Sequence, residues 1–545
     1  MECSKHLFGY CEHHAYQSYL SLNNDDQAHF QRLFLRKNPF QRVDKLELSA
    51  SCFKRLTETG LLRTIVLPKV QTTNLMTRNE LSAICVSLKL PSTGRKSSLI
   101  ERLLPHWEDK FNPPLVWVAY RHLFHKAVQW YTANPNGHIS DLVIQELGYR
   151  HYFSKGHFNT QPMFKRRKQR VMFEIARRFS PYRMPNPPSL NLINALFDKF
   201  NNFDYTNQNT RFDPLRRVFR SLHQWVALLT KADLSAALSF IELVPFEEQN
   251  PELVRKLALE CQRQGKTEQG LGLIKSIVHL QNLEARLALT QTYNQMAHKI
   301  RKPRLTLPII KLPNEREIEL IQSGTQKNRP VFRVNEMELS VENAVCQHLA
   351  LEGHIAIYTE GVLWQALMII LFWEAFKAPI TGQLPSPVLR APLDFKSPEF
   401  VQRRLKWIEP IMKSIANGQA ISIFEQNQNH LDLTVKGLES HRITTEKLRS
   451  ILVNIPCDAL TKIMNILLFD CHQNSKGMPD LIIFPKSDKV FSCAFPNRFR
   501  SRFLLAELKT RNDKLSPAQS AWFHRLILAD IPAELWQINH KRSSQ

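Results

Sequence analysis

The sequence predicts a multidomain protein, mainly α-helical, that closes on an α/β domain built around a small mixed sheet flanked by helices. Three observations carry this reading. The chain has 545 residues, too many for one hydrophobic core and suited to about three or four domains. Apolar residues recur at helical spacing through most of its first 300 or so positions. Beyond them, four short apolar runs, 355–358, 481–484, 503–509 and 535–538, have the length and composition of strands, and helical segments lie between them.

Composition narrows the class. Hydrophobic residues at 43% and charged residues at 22% belong to a folded chain. Lys plus Arg number 73 against 49 Asp plus Glu, a net charge of +24 and a pI near 9.7, which favours a polyanionic partner, most often nucleic acid. The nine cysteines follow no regular spacing and the start, Met1 to His6, lacks the apolar core of a signal peptide, so a reducing compartment is expected rather than secretion. The most apolar run, Val362 to Phe376, is interrupted by Gln365 and Glu374 and falls short of the roughly twenty residues that cross a bilayer. It reads as a buried helix, and no membrane partner is expected.

In chain order, 1–70 reads as an N-terminal helical region. Cys3, His6, Cys11, His13 and His14 are ligand types for zinc, yet no Cys-x2-Cys pair is present, so no zinc site is expected there. The region 71–170 begins better defined. Thr77-Arg78-Asn79-Glu80 has the form of a capping box, and Leu81, Ile84 and Leu88 supply one apolar helical face. A turn over Leu90 to Gly94 leads to a second helix, Lys96 to Leu104, stopped by Pro105. Arg95 and Lys96 open that helix, where free backbone N–H groups also favour phosphate. The densest basic cluster follows, Lys165, Arg166, Arg167, Lys168 and Arg170, interleaved with Phe164, Phe173 and Phe179: a helix with one apolar and one basic face, able to neutralise several phosphates. A solvated face would look the same. From 171 to 304, the runs 234–241, 253–260 and 271–274, with a turn at Gly265, read as a scaffold of stacked helix pairs.

The domain from 305 to 545 carries the chemistry. Gly477-Met478-Pro479-Asp480 puts a carboxylate at the start of the run Leu481 to Phe484, and Ala506-Glu507-Leu508-Lys509 puts a carboxylate and a lysine inside another. Strand side chains alternate, so Glu507 and Lys509 share a face. A carboxylate in such apolar company costs several kcal/mol unless it is paired or holds a metal. The order Pro-Asp, spacer, Glu-x-Lys is the PD-(D/E)xK pattern of metal-dependent nucleases. Phosphodiester cleavage needs a hydroxide near neutral pH and neutralisation of charge on the phosphorane oxygens. Hard Mg²⁺ or Mn²⁺ meets both needs and prefers oxygen ligands from converging elements. Asp480, Glu507 and the Leu508 carbonyl suit that role. A third carboxylate is expected from either Glu360, at the start of the apolar helix, or Glu374, deep in that helix beside Trp373. Lys509 would position water or phosphate, since an ammonium is no base. Ser516 and Pro517 open a further helix, which places Gln519 one turn in, toward the site, and Lys514 within reach of a phosphate.

The strings Gly-Met-Pro-Asp-Leu-Ile-Ile-Phe (477–484) and Ala-Glu-Leu-Lys-Thr-Arg-Asn-Asp-Lys-Leu-Ser-Pro-Ala-Gln (506–519), followed by Trp522, resemble the VRR-NUC nuclease domain. The 77–104 hairpin resembles the SAP module, and the middle helices resemble tetratricopeptide repeats. Together, in that order, they resemble the Fanconi-anaemia-associated nuclease family, with a bacterial member expected. The resemblance implies a structure-selective 5′-flap endonuclease with 5′ to 3′ exonuclease activity, of phosphodiesterase I type, acting on branched or flapped double-stranded DNA in interstrand crosslink repair. It implies Glu360 rather than Glu374 as metal ligand, beside Asp480 and Glu507, with Lys509 catalytic. A location in the cytoplasm or nucleoid, or in the nucleus of a eukaryote, follows. The alternatives are a VRR-NUC junction-resolving endonuclease and a non-catalytic DNA-binding scaffold. One departure stands out: 27 positions separate Asp480 from Glu507, and the extra Ser487 to Arg502 reads as an extended hairpin offering Arg498, Arg500 and Arg502.

Overall fold

The structure is a computed structural model. It describes residues 9–36, 38–124, 126, 164, 166–201, 213–326, 329–359, 361–380, 383–384, 389–395, 397, 399–469, 476–485, 502–510 and 513–542. Glu360, Lys165, Arg498, Arg500 and most of the expected 487–502 hairpin lie outside them. Two compact units divide the chain, Met1–Leu147 with Phe164–Arg167, and Gly148–Met163 with Lys168–Gln545.

In the first unit, α1 (Tyr10–Leu20), α2 (Asn24–Leu35) and α3 (Ala50–Glu58) accompany a three-stranded antiparallel sheet. In that sheet β3 (Leu115–Val118) lies between β1 (Phe40–Arg42) and β2 (Leu62–Ile65), and Phe30, Leu33, Leu56, Leu62, Val116 and Val118 form the core. These strands depart from the helical reading. With three or four residues each, they are too short to show a period. Then come α4 (Lys69–Asn74) and the hairpin of α5 (Arg78–Ser87) and α6 (Lys96–Leu103). Its capping box forms as read, Thr77 Oγ1 accepting from Glu80 N while Glu80 accepts from Thr77 N, and Leu81, Cys85, Leu99 and Leu103 are buried between the helices. Arg95 is the exposed N-cap of α6, whereas the Lys96 ammonium donates to the Asn74 carbonyl at 2.8 Å.

The second unit takes in nearly all of α7 (Arg167–Arg177), then α8 (Leu190–Asn201), α9 (Pro214–Ala232), α10 (Leu234–Glu242), α11 (Pro251–Arg263), α12 (Thr267–Ile277) and α13 (Leu283–Lys299). They share one apolar core, with Val226, Ile241, Val254, Ile274 and Met296 among its buried members. Gly270 lets α12 press close: a Cβ there would lie 2.8 Å from the Ala258 carbonyl oxygen. On α7 the basic stripe is narrower than expected. Gln169, Arg170, Met172, Phe173 and Ala176 form the buried side, which leaves Arg166, Arg167 and Lys168 exposed. Arg170, 3% exposed, is therefore corrected from the phosphate-facing set: its helical phase turns it inward, 4.0 Å from Glu174.

Among the described residues, the C-terminal sheet has seven strands in the order β6-β5-β4-β10-β9-β8-β7. β7 (Ile355–Tyr358), β8 (Leu481–Phe484), β9 (Leu504–Thr510) and β10 (Ala533–Arg542) are the four strands read in the sequence. β4 (Asn314–Gln326), β5 (Arg329–Val334) and β6 (Met337–Leu339) widen the sheet beyond the small one expected. β10 runs parallel to both β4 and β9 and every other pair is antiparallel, so the sheet is mixed. α14 (Val341–Leu351) covers one face through Ala344, Val345 and Leu349, against Leu481, Ile483, Leu504, Ala506 and Leu508. The apolar run after β7 breaks at Phe372 into α15 (Val362–Leu371) and α16 (Trp373–Phe376). A helical region follows, with α17 (Glu399–Gln402), α18 (Leu405–Ala416), α19 (Ala420–Asn427), α20 (Thr445–Asn454) and α21 (Cys457–Phe469), before β8; α22 (Pro517–Leu528) joins β9 to β10. Among the described residues, no helix is long and apolar enough to cross a membrane.

Candidate active site

With α14 on the face of Leu481 and Ala506, strand alternation sends Asp480, Glu507 and Lys509 to the opposite face. Asp480 ends the turn that Gly477 begins. Gly477 has φ +82°, and a Cβ on it would fall 2.6 Å from the Ala518 backbone carbon, so glycine alone lets this turn lie against the start of α22. β8 pairs with β9 only as far as Ala506. Past that point the Asp480 carboxylate takes over the strand's role, Oδ2 accepting from Leu508 N at 3.0 Å. The N–H and C=O of one strand residue point to the same side, so the Leu508 carbonyl faces this gap too.

Glu507 is 1% exposed. Its Oε1 is 3.0 Å from Lys509 Nζ and also accepts from Gln519 Nε2, while Oε2 is buried with no hydrogen-bond partner. Gln519 does two jobs with one amide. Its oxygen accepts from Ser516 N at 2.9 Å, completing the capping box of α22, and its nitrogen holds Glu507. Burial, and next the charge of Asp480, push the Glu507 carboxyl up to about 8 against the pull of Lys509. Burial likewise raises Asp480, opposed by the Leu508 N–H and Lys509 and reinforced by Glu342. Two acids held above their ordinary range beside a single ammonium make a site short of positive charge.

Asp480, Glu507, Lys509 and Gln519 are thus brought together. Lys514 is exposed nearby in sequence, with no ion pair among the described residues. Glu374 is not deep in its helix: it lies on the surface and pairs with Lys377 at 2.8 Å. Sequence reasoning passed over Thr359. Its N–H donates to the Asp480 carbonyl at 2.7 Å and its hydroxyl contacts the Pro479 and Asp480 carbonyl oxygens at 3.0 Å each, which ties the residue preceding Glu360 to the Pro-Asp turn. Its place in Thr-Glu-Gly, directly after a strand, was the available signal. At the same sheet end, the Arg442 guanidinium lies 5.2 Å from the Tyr358 ring centroid.

Residues 415–538 match the VRR-NUC domain and residues 72–108 the SAP domain. The chain carries a VRR-NUC domain and a SAP domain. It resembles the Fanconi-associated nuclease 1 homologues. The fission yeast Schizosaccharomyces pombe homologue is 29% identical over 228 residues, 41% of this chain and 31% of that protein. The Arabidopsis thaliana homologue is 21% identical across 98% of this chain and 65% of its own length, and the Pseudomonas aeruginosa homologue 28% over 35% and 33%. The chain therefore spans less than two thirds of each of these relatives. The crystal structure of paFAN1 bound to a 2-nt 5′ flap DNA with a gap superposes with a TM-score of 0.76 at 21% identity, covering 98% of this chain and 95% of that one. A second paFAN1 complex, with a 1-nt flap, gives 0.74. These structures establish the fold, including the helical middle between the SAP and VRR-NUC domains.

Proposed function

We propose that this protein is a metal-dependent DNA nuclease that hydrolyses phosphodiester bonds in flapped or branched duplexes. The observation that carries the reading is the convergence of Asp480, Glu507 and Lys509 on one sheet face, with Glu507 Oε2 buried and lacking any partner. A buried carboxyl oxygen without a partner, beside a second raised carboxyl, fits a divalent cation, which would let both acids ionise. The donors are all oxygens, which suits Mg²⁺ or Mn²⁺ rather than a soft metal. Asp480, Glu507 and the Leu508 carbonyl would hold it, with Glu360, which lies outside the described residues, as the further ligand that the family resemblance implies. When bound, such a cation neutralises charge on the scissile phosphate and makes water more acidic.

The chain's own groups supply the rest. Gln519 holds Glu507 through Oε1, which leaves Oε2 uncommitted. Lys509, 3.0 Å from Glu507, is placed to hold the attacking water or a phosphate oxygen by hydrogen bonding and charge. The SAP hairpin, with Arg95 exposed at the start of α6, and the exposed Arg166, Arg167 and Lys168 supply phosphate contacts that carry no chemistry. Preference for a 5′ flap, 5′ to 3′ exonuclease action and service in interstrand crosslink repair are the finer parts of the proposal. They are supported by the resemblance to Fanconi-associated nuclease homologues and by paFAN1 having been captured on 5′ flap DNA.

The test is cleavage of an end-labelled 5′-flap duplex and of a four-way junction, each with Mn²⁺ and with chelator. Metal-dependent cutting near the flap is expected, lost in Asp480→Ala and Lys509→Ala. Preference for the junction would move the assignment to a resolving endonuclease, and cleavage unaffected by either substitution would overturn the site.

A further inference from the structure

The three-stranded sheet of the N-terminal unit builds its core on one face. Leu62, Val116 and Val118 point to that side, so strand alternation sends Phe40, Arg63 and Trp117 to the other. The register sets these three side by side across the strands, Phe40 opposite Trp117 and Trp117 opposite Arg63. Phe40 and Trp117 are half-buried and Arg63 is exposed. The neighbouring row on this face is closed: Leu115 is buried, and its partner Arg42 pairs with Glu80 of the SAP hairpin at 2.6 Å.

Just past β3 the chain adds another ring to this place. Tyr120 has φ +57°, in the left-handed region that a bulky side chain rarely adopts. Its hydroxyl accepts from Arg63 Nη2 at 2.9 Å. The guanidinium lies 5.3 Å from the Tyr120 ring centroid and 6.0 Å from that of Trp117, so one cation joins two rings. The His14 ring stands 6.2 Å from Tyr120 on the far side of the pair from Trp117 in sequence, on α1. Among the described residues Arg63 has no carboxylate partner: its contacts are the two rings and the hydroxyl.

We propose that Trp117, Arg63 and Tyr120 form a stacking platform for unpaired bases of a nucleic-acid strand, distinct from the carboxylate site and from the phosphate contacts of the SAP hairpin. Aromatic rings on a sheet face, with a planar guanidinium among them, are a surface on which single-stranded bases stack, and such stacking tolerates any sequence because every base has a π-face. Along a duplex those faces are already covered by neighbouring bases. The unanswered cation decides against an apolar protein surface, which would bury its charge unpaired, and for a strand whose phosphates follow its bases. The net charge of +24 favours the same polyanion. Backbone strain of the kind Tyr120 holds collects at positions that touch ligands.

The inference takes its ligand from the nuclease reading, and measuring binding in chelator keeps the two separable. The full chain is titrated with three fluorescent duplexes: one carrying a 5′ flap of thymidines, one carrying the same flap made of abasic units, and one nicked without a flap. Wild type is expected to bind the thymidine flap about tenfold more tightly than the abasic one, the order of the loss when a stacked base is removed. Arg63→Ala with Trp117→Leu should abolish that preference while affinity for the nicked duplex stays within about twofold of wild type. Arg63→Lys, at an exposed position, keeps the charge and loses the planar stack, so it should lose most of the preference too, and it serves if the double variant melts early. Equal wild-type affinity for the thymidine and abasic flaps overturns the platform. Weakening by the same factor on all three duplexes also overturns it, because it assigns these residues to folding or to phosphate contact, as does a wild-type preference in Arg63→Lys. Failure of wild type to cut flap DNA with Mn²⁺ would sink the nuclease reading, and the comparison of base with abasic flap would still decide the platform.

Discussion

At the scale of single residues, the carboxylates of the candidate site trade stability for chemistry. Glu507 is almost fully buried, one of its oxygens has no partner, and its acid is pushed up to about 8 by burial and by Asp480. A carboxyl raised this far costs folding free energy near neutral pH, because it must take up a proton on burial, and a neutral isostere relieves that cost. Glu507→Gln is therefore expected to raise the melting temperature in chelator, by a stabilisation of about 1 to 2 kcal/mol, and to abolish cleavage. Added Mn²⁺ should narrow the gap by stabilising only wild type. A variant less stable than wild type in chelator would mean that Glu507 is a structural partner of Lys509 and Gln519. Asp26 behaves in the opposite way. Hydrogen bonds from Arg55, first, and Cys52 hold its carboxyl at about 2, below the ordinary 3.8. A lowered folded-state value gives stability that is complete above about pH 4 and is lost as pH falls through 2. Acid unfolding of the N-terminal unit should thus lose part of its steepness between pH 4 and 2 in Asp26→Asn, as followed by circular dichroism.

At the scale of elements, the turn before β8 is held by what it touches. Gly477→Ala would force an L-residue to φ +82° and press a methyl group into the backbone of Ala518, at the start of the helix that supplies Gln519. The left-handed conformation and the clash together are expected to cost about 2 to 4 kcal/mol. Denaturant titration would read that loss. Because the strain displaces Asp480 and Gln519 together, kcat should fall by more than binding weakens; equal falls would show that the turn merely supports folding. The same elements show what was legible in sequence. β7, β8 and β9 are short apolar runs, and α22 has Ser516 and Pro517 in the order a helix start demands, so both could be read directly. β4 could not. Asn314-Glu315-Arg316-Glu317 is polar enough to pass for a connector, and the strand exists because its backbone pairs in parallel with β10 and because Ile318 and Leu320 reach the core. Arg170 misled for a related reason: charge in a sequence shows no direction, and only the helical phase set by Met172, Phe173 and Ala176 turns it inward.

For the whole molecule, the question is how a net charge of +24 is divided between grip and chemistry. On the proposed function, the carboxylate site would repel a polyanion until cations enter it, so affinity for DNA would have to come from basic surfaces elsewhere in the chain. The SAP hairpin would be one such surface. Arg95 is exposed at the N-cap of α6, and Lys96 beside it is only half-buried, although its ammonium rests on the Asn74 carbonyl. Arg95→Glu with Lys96→Glu turns two cations into two anions at a helix start and touches no residue of the candidate active site. If grip and chemistry are divided in this way, steady-state cleavage of a 5′-flap duplex at low salt should show KM raised about tenfold, since reversing two charges that face phosphate costs on the order of 1 to 2 kcal/mol, with kcat within about twofold of wild type. Raising the salt should shrink the difference, because the interaction being removed is screened. A fall in kcat at saturating DNA would show that the hairpin aligns the strand for cutting rather than only holding it, and an unchanged KM would remove it from the DNA-contacting surface.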